Sequence, residues 1–132
     1  MTLASIILAA GEGTRMRSKL PKVLHPLAGK PMLWHALHAA ESLVDLPPVV
    51  VVGHQAEFVR TTLGDRVDYA LQAEQLGTGH AVLMAKEQLM NLADTILVTL
   101  GDMPLLTAET LSCLVELHKT TPSPVKIGRA SC

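Results

Sequence analysis

The sequence predicts an α/β protein organised around a mainly parallel sheet of about four strands. Three observations predict it. Short β-branched runs alternate with longer stretches whose apolar residues recur at helical spacing, the pattern of strand-helix-strand units. The run Val49–Val52 is apolar at every position, which suits a strand covered on both faces. The residues least explained by packing, namely glycines, cations, amides and one aspartate, fall directly after strands, at the edge where open α/β sheets bind ligands.

Taken in order, the first strand is read at Ser5–Ala9. A helix follows at Met32–Val44, with Leu33, Ala36, Leu37, Ala40 and Leu43 at helical spacing behind Pro31, a residue favoured at helix starts. The second strand is Val49–Val52, followed by a short helix at His54–Leu63 closed by Gly64. Val67–Leu71 reads as the third strand, Thr78–Met90 as a helix, and Thr95–Leu100 as the fourth strand. A last helix at Ala108–His118 carries Leu111, Leu114, Val115 and His118 on one face. Together these elements make a three-layer, Rossmann-like arrangement; residues 121–132 show no periodic pattern, and no internal repeat or domain linker interrupts the chain.

Bulk properties narrow the function. A chain of 132 residues is long enough for one domain with a continuous core that needs neither disulfides nor metal. Its 48% hydrophobic and 17% charged residues are those of a globular protein, and a net charge of -1 argues against a nucleic-acid or lipid surface as partner. Trp34, Phe58 and Tyr69 are too few aromatics for a stacking platform. Two cysteines, Cys113 and Cys132, match a reducing compartment better than a disulfide framework. The first ten residues lack a basic leading region and a cleavage site, and no apolar run nears the ~18 to 20 residues of a membrane span. A cytoplasmic location is expected.

The segment Gly11–Lys22, GEGTRMRSKLPK, is the most unusual. It is not a dinucleotide fingerprint, because Met16 stands where a third glycine is required, and it lacks the Gly-Lys-Ser/Thr of a P-loop. The physics beneath those motifs remains. Gly11 and Gly13 expose backbone N–H groups, and Arg15, Arg17, Lys19 and Lys22 place four cations within eight residues, which repel unless an anion sits among them. A polyphosphate fits. Lys22 stands out because Pro21 fixes the backbone before it and Val23 and Leu24 offer an anchor after it.

Asp102 ends the apolar fourth strand, behind a Gly101 that lets backbone approach closely. It suits a magnesium ligand sharing the ion with substrate phosphates, and equally a cap of the next turn; the basic loop favours the metal. The loop after the third strand offers Gln72, Glu74, Gln75, Gly77, Thr78 and Gly79. Side-chain amides can read the edge of a base, and Thr78 is also a natural helix cap. His35 and His38 lie three apart on a helix without a carboxylate or cysteine to complete a ligand set, and no Ser-His-Asp arrangement is evident.

LAAGEGTRM with LPKVLHPLAGKPM resembles the opening of the sugar-phosphate nucleotidylyltransferases, a group that includes molybdenum-cofactor guanylyltransferase-like proteins. LQAEQLGTGHA and GDMPLL resemble more narrowly the N-acetylglucosamine-1-phosphate uridylyltransferases, and the likeness runs from Ile6 to about Leu117. The resemblance implies transfer of UMP from UTP to N-acetylglucosamine-1-phosphate, with Mg2+ as cofactor. It places Leu8, Ala9, Ala10 and Gly11 against the nucleotide, Gln72, Gly77 and Thr78 on uracil, Arg15 and Lys22 on the phosphates, and magnesium on Asp102. Leu100 departs from the family's aromatic or polar residue before Gly-Asp. The family's acceptor-sugar region, second metal ligand and β-helix acetyltransferase domain have no counterpart in residues 1–132, so the expectation is a nucleotide-binding part of a nucleotidylyltransferase domain. A catalytically incomplete nucleotide-binding module stands beside the enzyme reading. A guanylyl- or cytidylyltransferase is disfavoured by the Gln72–Thr78 loop. Sheet edges left open would favour self-association, so a homo-oligomer is an admissible assembly.

Overall fold

The computed structural model describes residues 2–10, 22–53, 56–120 and 124. Strand β1 (Leu3–Leu8) leads to a 3-10 turn at Lys22–Leu24 and a two-stranded hairpin, β2 (Pro26–Leu27) and β3 (Lys30–Pro31). Then come α1 (Met32–Glu41), β4 (Val49–Val52), α2 (Ala56–Leu63), a 3-10 turn at Gly64–Arg66 and β5 (Asp68–Leu71). The chain continues through α3 (Thr78–Met84), α4 (Lys86–Leu89), β6 (Thr95–Leu100) and α5 (Ala108–Thr120).

β5, β4, β1 and β6 form one parallel sheet in that order. β1 is the hub. It pairs along its whole length with β6, from Leu3 opposite Thr95 to Leu8 opposite Leu100, and through Ile6, Ile7 and Leu8 with Val49, Val50 and Val51. All four valines of β4 are sealed from solvent, the uniformly apolar strand that the sequence predicts.

Side-chain alternation divides the core between the sheet's two faces. On one face Ile7, Val50 and Val52 pack with Leu33 and Leu37 of α1 and Val59 and Leu63 of α2, and Leu3 and Leu97 meet Leu111 of α5. On the other, Ile6, Val49, Val51 and Ala70 are covered by Ala81, Ala85 and Leu89 from α3 and α4. Helices on both faces make the three layers. The switch of faces accompanies the switch of direction: the chain steps outward from β1 to β4 and β5, then crosses behind the sheet to lay β6 on the far side of β1.

Several boundaries differ from the sequence reading for identifiable reasons. The helix expected over Thr78–Met90 is two helices hinged at Ala85, whose φ of -92° and ψ of -5° break the helical path while its methyl group stays fully buried. No glycine or proline marks that break. The helix expected to reach Val44 stops at Glu41, yet Leu43 and Val44 still pack against the core, so their spacing reported burial beyond the helix end. The β2–β3 hairpin was not anticipated between prolines; it turns on Ala28 and Gly29, both at positive φ (52° and 81°), as a tight reverse turn of this hand requires. Cys113, read as a thiol of a reducing compartment, is disulfide-bonded.

Tyr69 locks the α2–β5 connection. Its hydroxyl donates to the Gly64 carbonyl at 2.6 Å, and burial pushes the phenol above its ordinary range, opposed by the nearby Arg60 guanidinium and reinforced by Asp65. Among the described residues no helix is long and apolar enough to cross a membrane. β6 is an edge of the described sheet, and its outward row Ile96, Val98 and Leu100 stays about two-fifths exposed, at 39%, 42% and 39%.

Leu37 is fully buried in the layer that seats α1 on the sheet. Leu37→Ala should therefore lower unfolding free energy by about 2 to 5 kcal/mol in denaturant titration. A loss under about 1 kcal/mol would show that this layer is not the core of the fold.

Candidate functional site

The carboxyl ends of the four strands bring their following loops together. At the end of β1, the Ala9 N–H bonds to the Val51 carbonyl at 2.8 Å, continuing the ladder and burying Ala9 and Ala10. A Cβ placed on Gly53, just after β4, would lie 2.9 Å from the Ala10 carbonyl oxygen and 2.9 Å from Gln75 Nε2. The exits of β1, β4 and β5 thus meet at one glycine, with no room for a side chain. The sequence reading overlooked Gly53, although its place directly after the most apolar strand was the available signal.

β6 joins this edge from the other side of β1. The Gly101 N–H donates to the Leu8 carbonyl at 2.9 Å, and a Cβ on Gly101 would meet Leu33 Cδ1 at 3.1 Å and Leu8 O and Val23 Cγ1 at 3.2 Å. The close approach expected of Gly101 is therefore between backbone segments of β1 and β6. The 3-10 turn Lys22–Leu24 is pinned here by the buried Val23 and Leu24, the anchor anticipated for Lys22.

That anchoring has a consequence for charge. Lys22 Nζ stands 3.2 Å from Asp102 Oδ2. The two groups, 80 residues apart in sequence, were expected to share a phosphate and metal site, and they form an ion pair. Their side chains are 46% and 36% exposed, so water screens the pair and its contribution to stability is small. A pair of this kind exchanges readily for a stronger partner.

The Gln72–Thr78 loop closes on itself. The Gln72 N–H extends β5 by bonding to the Val52 carbonyl at 2.8 Å, and its side chain is only 2% exposed. Gln72 Nε2 donates to the Gly77 carbonyl at 3.2 Å and lies 2.9 Å from Nδ1 of His80. Gly77 adopts a φ of 104°, which favours glycine, and serves as N-cap of α3 with no side-chain cap bond. Thr78, a natural cap by residue type, is instead the first helical residue and is exposed. The sequence alone gives His80 no role.

Gly11, Gly13 and Arg15 lie outside the described residues, as do Arg17 and Lys19. Of the remaining sequence-predicted positions, Leu8, Ala9, Ala10, Lys22, Gly101 and Asp102 gather around the ends of β1 and β6, and Gln72, Gly77 and Thr78 around the end of β5. His35 and His38 serve the α1 surface: His35 Nε2 is 2.7 Å from the Leu27 carbonyl, and His38 stacks on Trp34 at 4.9 Å between centroids. Among the described residues no cluster of three or more His, Cys, Asp or Glu could hold a metal. A divalent ion at Asp102 would take its other oxygens from phosphates and water, which is the usual habit of magnesium.

This sheet order, with loops converging at its carboxyl edge, is the Rossmann-like fold of nucleotidyltransferases. The chain belongs to the MobA-like NTP transferase domain family, which matches residues 5–130. It is 58% identical over 115 residues to the bifunctional protein GlmU of Enterococcus faecalis, covering 87% of this chain and 25% of that protein. The chain thus spans about a quarter of the length of the curated relatives it matches. A nucleotidyl transferase from Methanothermobacter thermautotroptrophicus superposes with a TM-score of 0.77 at 27% identity, covering 87% of this chain and 57% of that one. Rv0371c from Mycobacterium tuberculosis, solved in complex with manganese, shares the fold with a TM-score of 0.75 at 24% identity, over 92% of this chain and 61% of that one.

Gly53→Ala tests the convergence of loops. The added methyl group must displace the Ala10 backbone, so unfolding free energy should fall by about 1 to 3 kcal/mol in chemical denaturation. An unchanged stability would mean that the Ala10 and Gln75 loops do not close on Gly53.

Proposed function

We propose that this chain is the nucleotide-binding part of a nucleotidylyltransferase domain that transfers UMP from UTP to N-acetylglucosamine-1-phosphate, giving UDP-N-acetylglucosamine and pyrophosphate. The carrying observation is the meeting of Lys22 and Asp102 at 3.2 Å at the switch point of the sheet, beside the loops that follow β1. A cation and a carboxylate held together at such an edge match a triphosphate with its divalent ion. The resemblance of the loop motifs to the N-acetylglucosamine-1-phosphate uridylyltransferases suggests the substrate pair, and the amide-bearing loop after β5 offers a place for the base. The substrates place the work in the cytoplasm, in the supply of cell-envelope precursors.

In this reading a phosphate oxygen of the sugar phosphate attacks the α-phosphorus of UTP. The bond from that phosphorus to the bridging oxygen breaks, and pyrophosphate leaves with the electron pair. No protein nucleophile is required; alignment and cancellation of charge at phosphorus are the catalytic needs. Lys22, released from Asp102, neutralises the α-phosphate. Arg15 neutralises the departing phosphates, and the backbone of Leu8, Ala9 and Ala10, followed by Gly11 and Gly13, lines the nucleotide. Asp102 would hold magnesium, which when bound would screen phosphate charge and orient the leaving group.

Calorimetric titration with UTP, GTP and CTP in magnesium, beside a pyrophosphate-release assay with N-acetylglucosamine-1-phosphate, tests the proposal. UTP should bind at least about tenfold more tightly than GTP. Equal affinities would overturn the base assignment, and UTP binding without pyrophosphate release would identify a binding module. Lys22→Ala should weaken UTP binding about tenfold or more, the worth of one charge-assisted hydrogen bond, with little change in melting temperature. Equal losses of binding and folding would make Lys22 structural.

A further inference from the structure

Gln72 is committed before any ligand arrives. The Gly77 carbonyl oxygen can only accept a hydrogen bond, so the Gln72 atom 3.2 Å from it is the amide nitrogen. That nitrogen is also 2.9 Å from His80 Nδ1. An amide nitrogen donates and does not accept, so Nδ1 is the acceptor of the pair, in the tautomer that carries its proton on Nε2. With both amide hydrogens spent inside the loop, the only hydrogen-bonding capacity Gln72 retains is that of its carboxamide oxygen, an acceptor.

We propose that His80 is a positioning residue for base selection: by accepting from Gln72 it fixes the polarity of that amide, so that the site offers an acceptor to the base. The inference rests on the reading of the Gln72–Thr78 loop as a nucleotide site and adds the device that sets its preference. A pyrimidine whose ring N3 carries a hydrogen, the imide of uracil, can donate to this oxygen. Cytosine carries a lone pair at N3 and meets it acceptor to acceptor. Either base can be turned to suit a freely rotating amide, because an amide shows a donor and an acceptor side by side. The discrimination therefore depends on holding the amide still, and a side chain only 2% exposed with two internal bonds is held. The Gly77 carbonyl supplies one of those bonds as backbone; His80 supplies the one that a substitution can remove.

The spacing explains why one loop contains the whole device. Gln72 directly follows β5, Gly77 turns the chain at positive φ into α3, and His80 lies in the first turn of that helix. The carbonyl and the imidazole thus approach the same amide nitrogen from positions three residues apart in one tight connection.

The test uses the whole chain in magnesium, titrated calorimetrically with UTP and with CTP, for the wild type, His80→Leu and His80→Asn. Leucine removes the acceptor; asparagine keeps an acceptor oxygen close to the position of Nδ1. The wild type should favour UTP by about tenfold or more, His80→Asn should retain most of that ratio, and His80→Leu should reduce it to about threefold or less. A ratio unchanged in His80→Leu would overturn the positioning role while leaving the nucleotide site intact. Failure of the wild type to bind either nucleotide would overturn the reading of the site itself. A second measurement needs neither ligand nor variant: nitrogen-15 NMR of the free protein should show His80 Nδ1 unprotonated and Nε2 protonated. A proton on Nδ1 would overturn the proposal even if His80→Leu failed to fold.

Discussion

The hydrogen bond from the Gly101 N–H to the Leu8 carbonyl, at 2.9 Å, is the constraint on which the site depends. It extends the parallel ladder of β1 and β6 one residue past the strand that defines it, so that the two chains leave the sheet at the same height. Every later placement follows from that level exit. Asp102 emerges beside the end of β1, and the buried pair Val23 and Leu24 can pack where Gly101 leaves space for them. Lys22 is thereby carried to the carboxylate. A side chain at position 101 would press on Leu33, Val23 and the Leu8 carbonyl together.

The same economy operates on the other side of β1. Ala9 bonds to Val51 and Gln72 to Val52, each continuing a ladder beyond its strand, while Gly53 gives up its side chain so that Ala10 and Gln75 can close over it. The sheet is thus rigid up to the rim of the site. What it presents there differs in character: a half-exposed and exchangeable ion pair at β6, and a buried amide after β5 whose nitrogen is already bonded within the loop. The ion pair at β6 leaves charge free to be redistributed, as the proposed triphosphate would require, whereas the amide after β5 is held in place by its bonds. Such a division suits a reaction in which phosphate charge moves and the base does not.

Much of this was legible in the residues. Val49–Val52 and Thr95–Leu100 read as strands with the bounds the structure shows, because β-branched runs bounded by turn residues leave little alternative. Lys22 and Asp102 were legible as partners in one site because parallel strands deliver their following loops to one edge. The break at Ala85 was not: Ala85 and Leu89 both stay packed in the core across it, and no glycine or proline marks it. His80 was also missed. Its role depends on the orientation of an amide eight residues earlier, which no periodicity reports. Gly53 could have been found, since a glycine closing an uninterrupted apolar strand at the ligand edge has few other uses.

Under the proposed function the carboxyl ends of β1, β4, β5 and β6 form one nucleotide site. Backbone amide NMR during titration with UTP and magnesium tests it most directly. Shifts should concentrate at Ala9, Ala10, Lys22, Gly53, Gln72, Gly77, Gly101 and Asp102. Thr2, Asp45 and Asp94, which tie the opposite end of the sheet through the Thr2 and Leu3 N–H groups, should stay unmoved. Shifts centred on that opposite end, or on the Trp34 face of α1, would contradict the account.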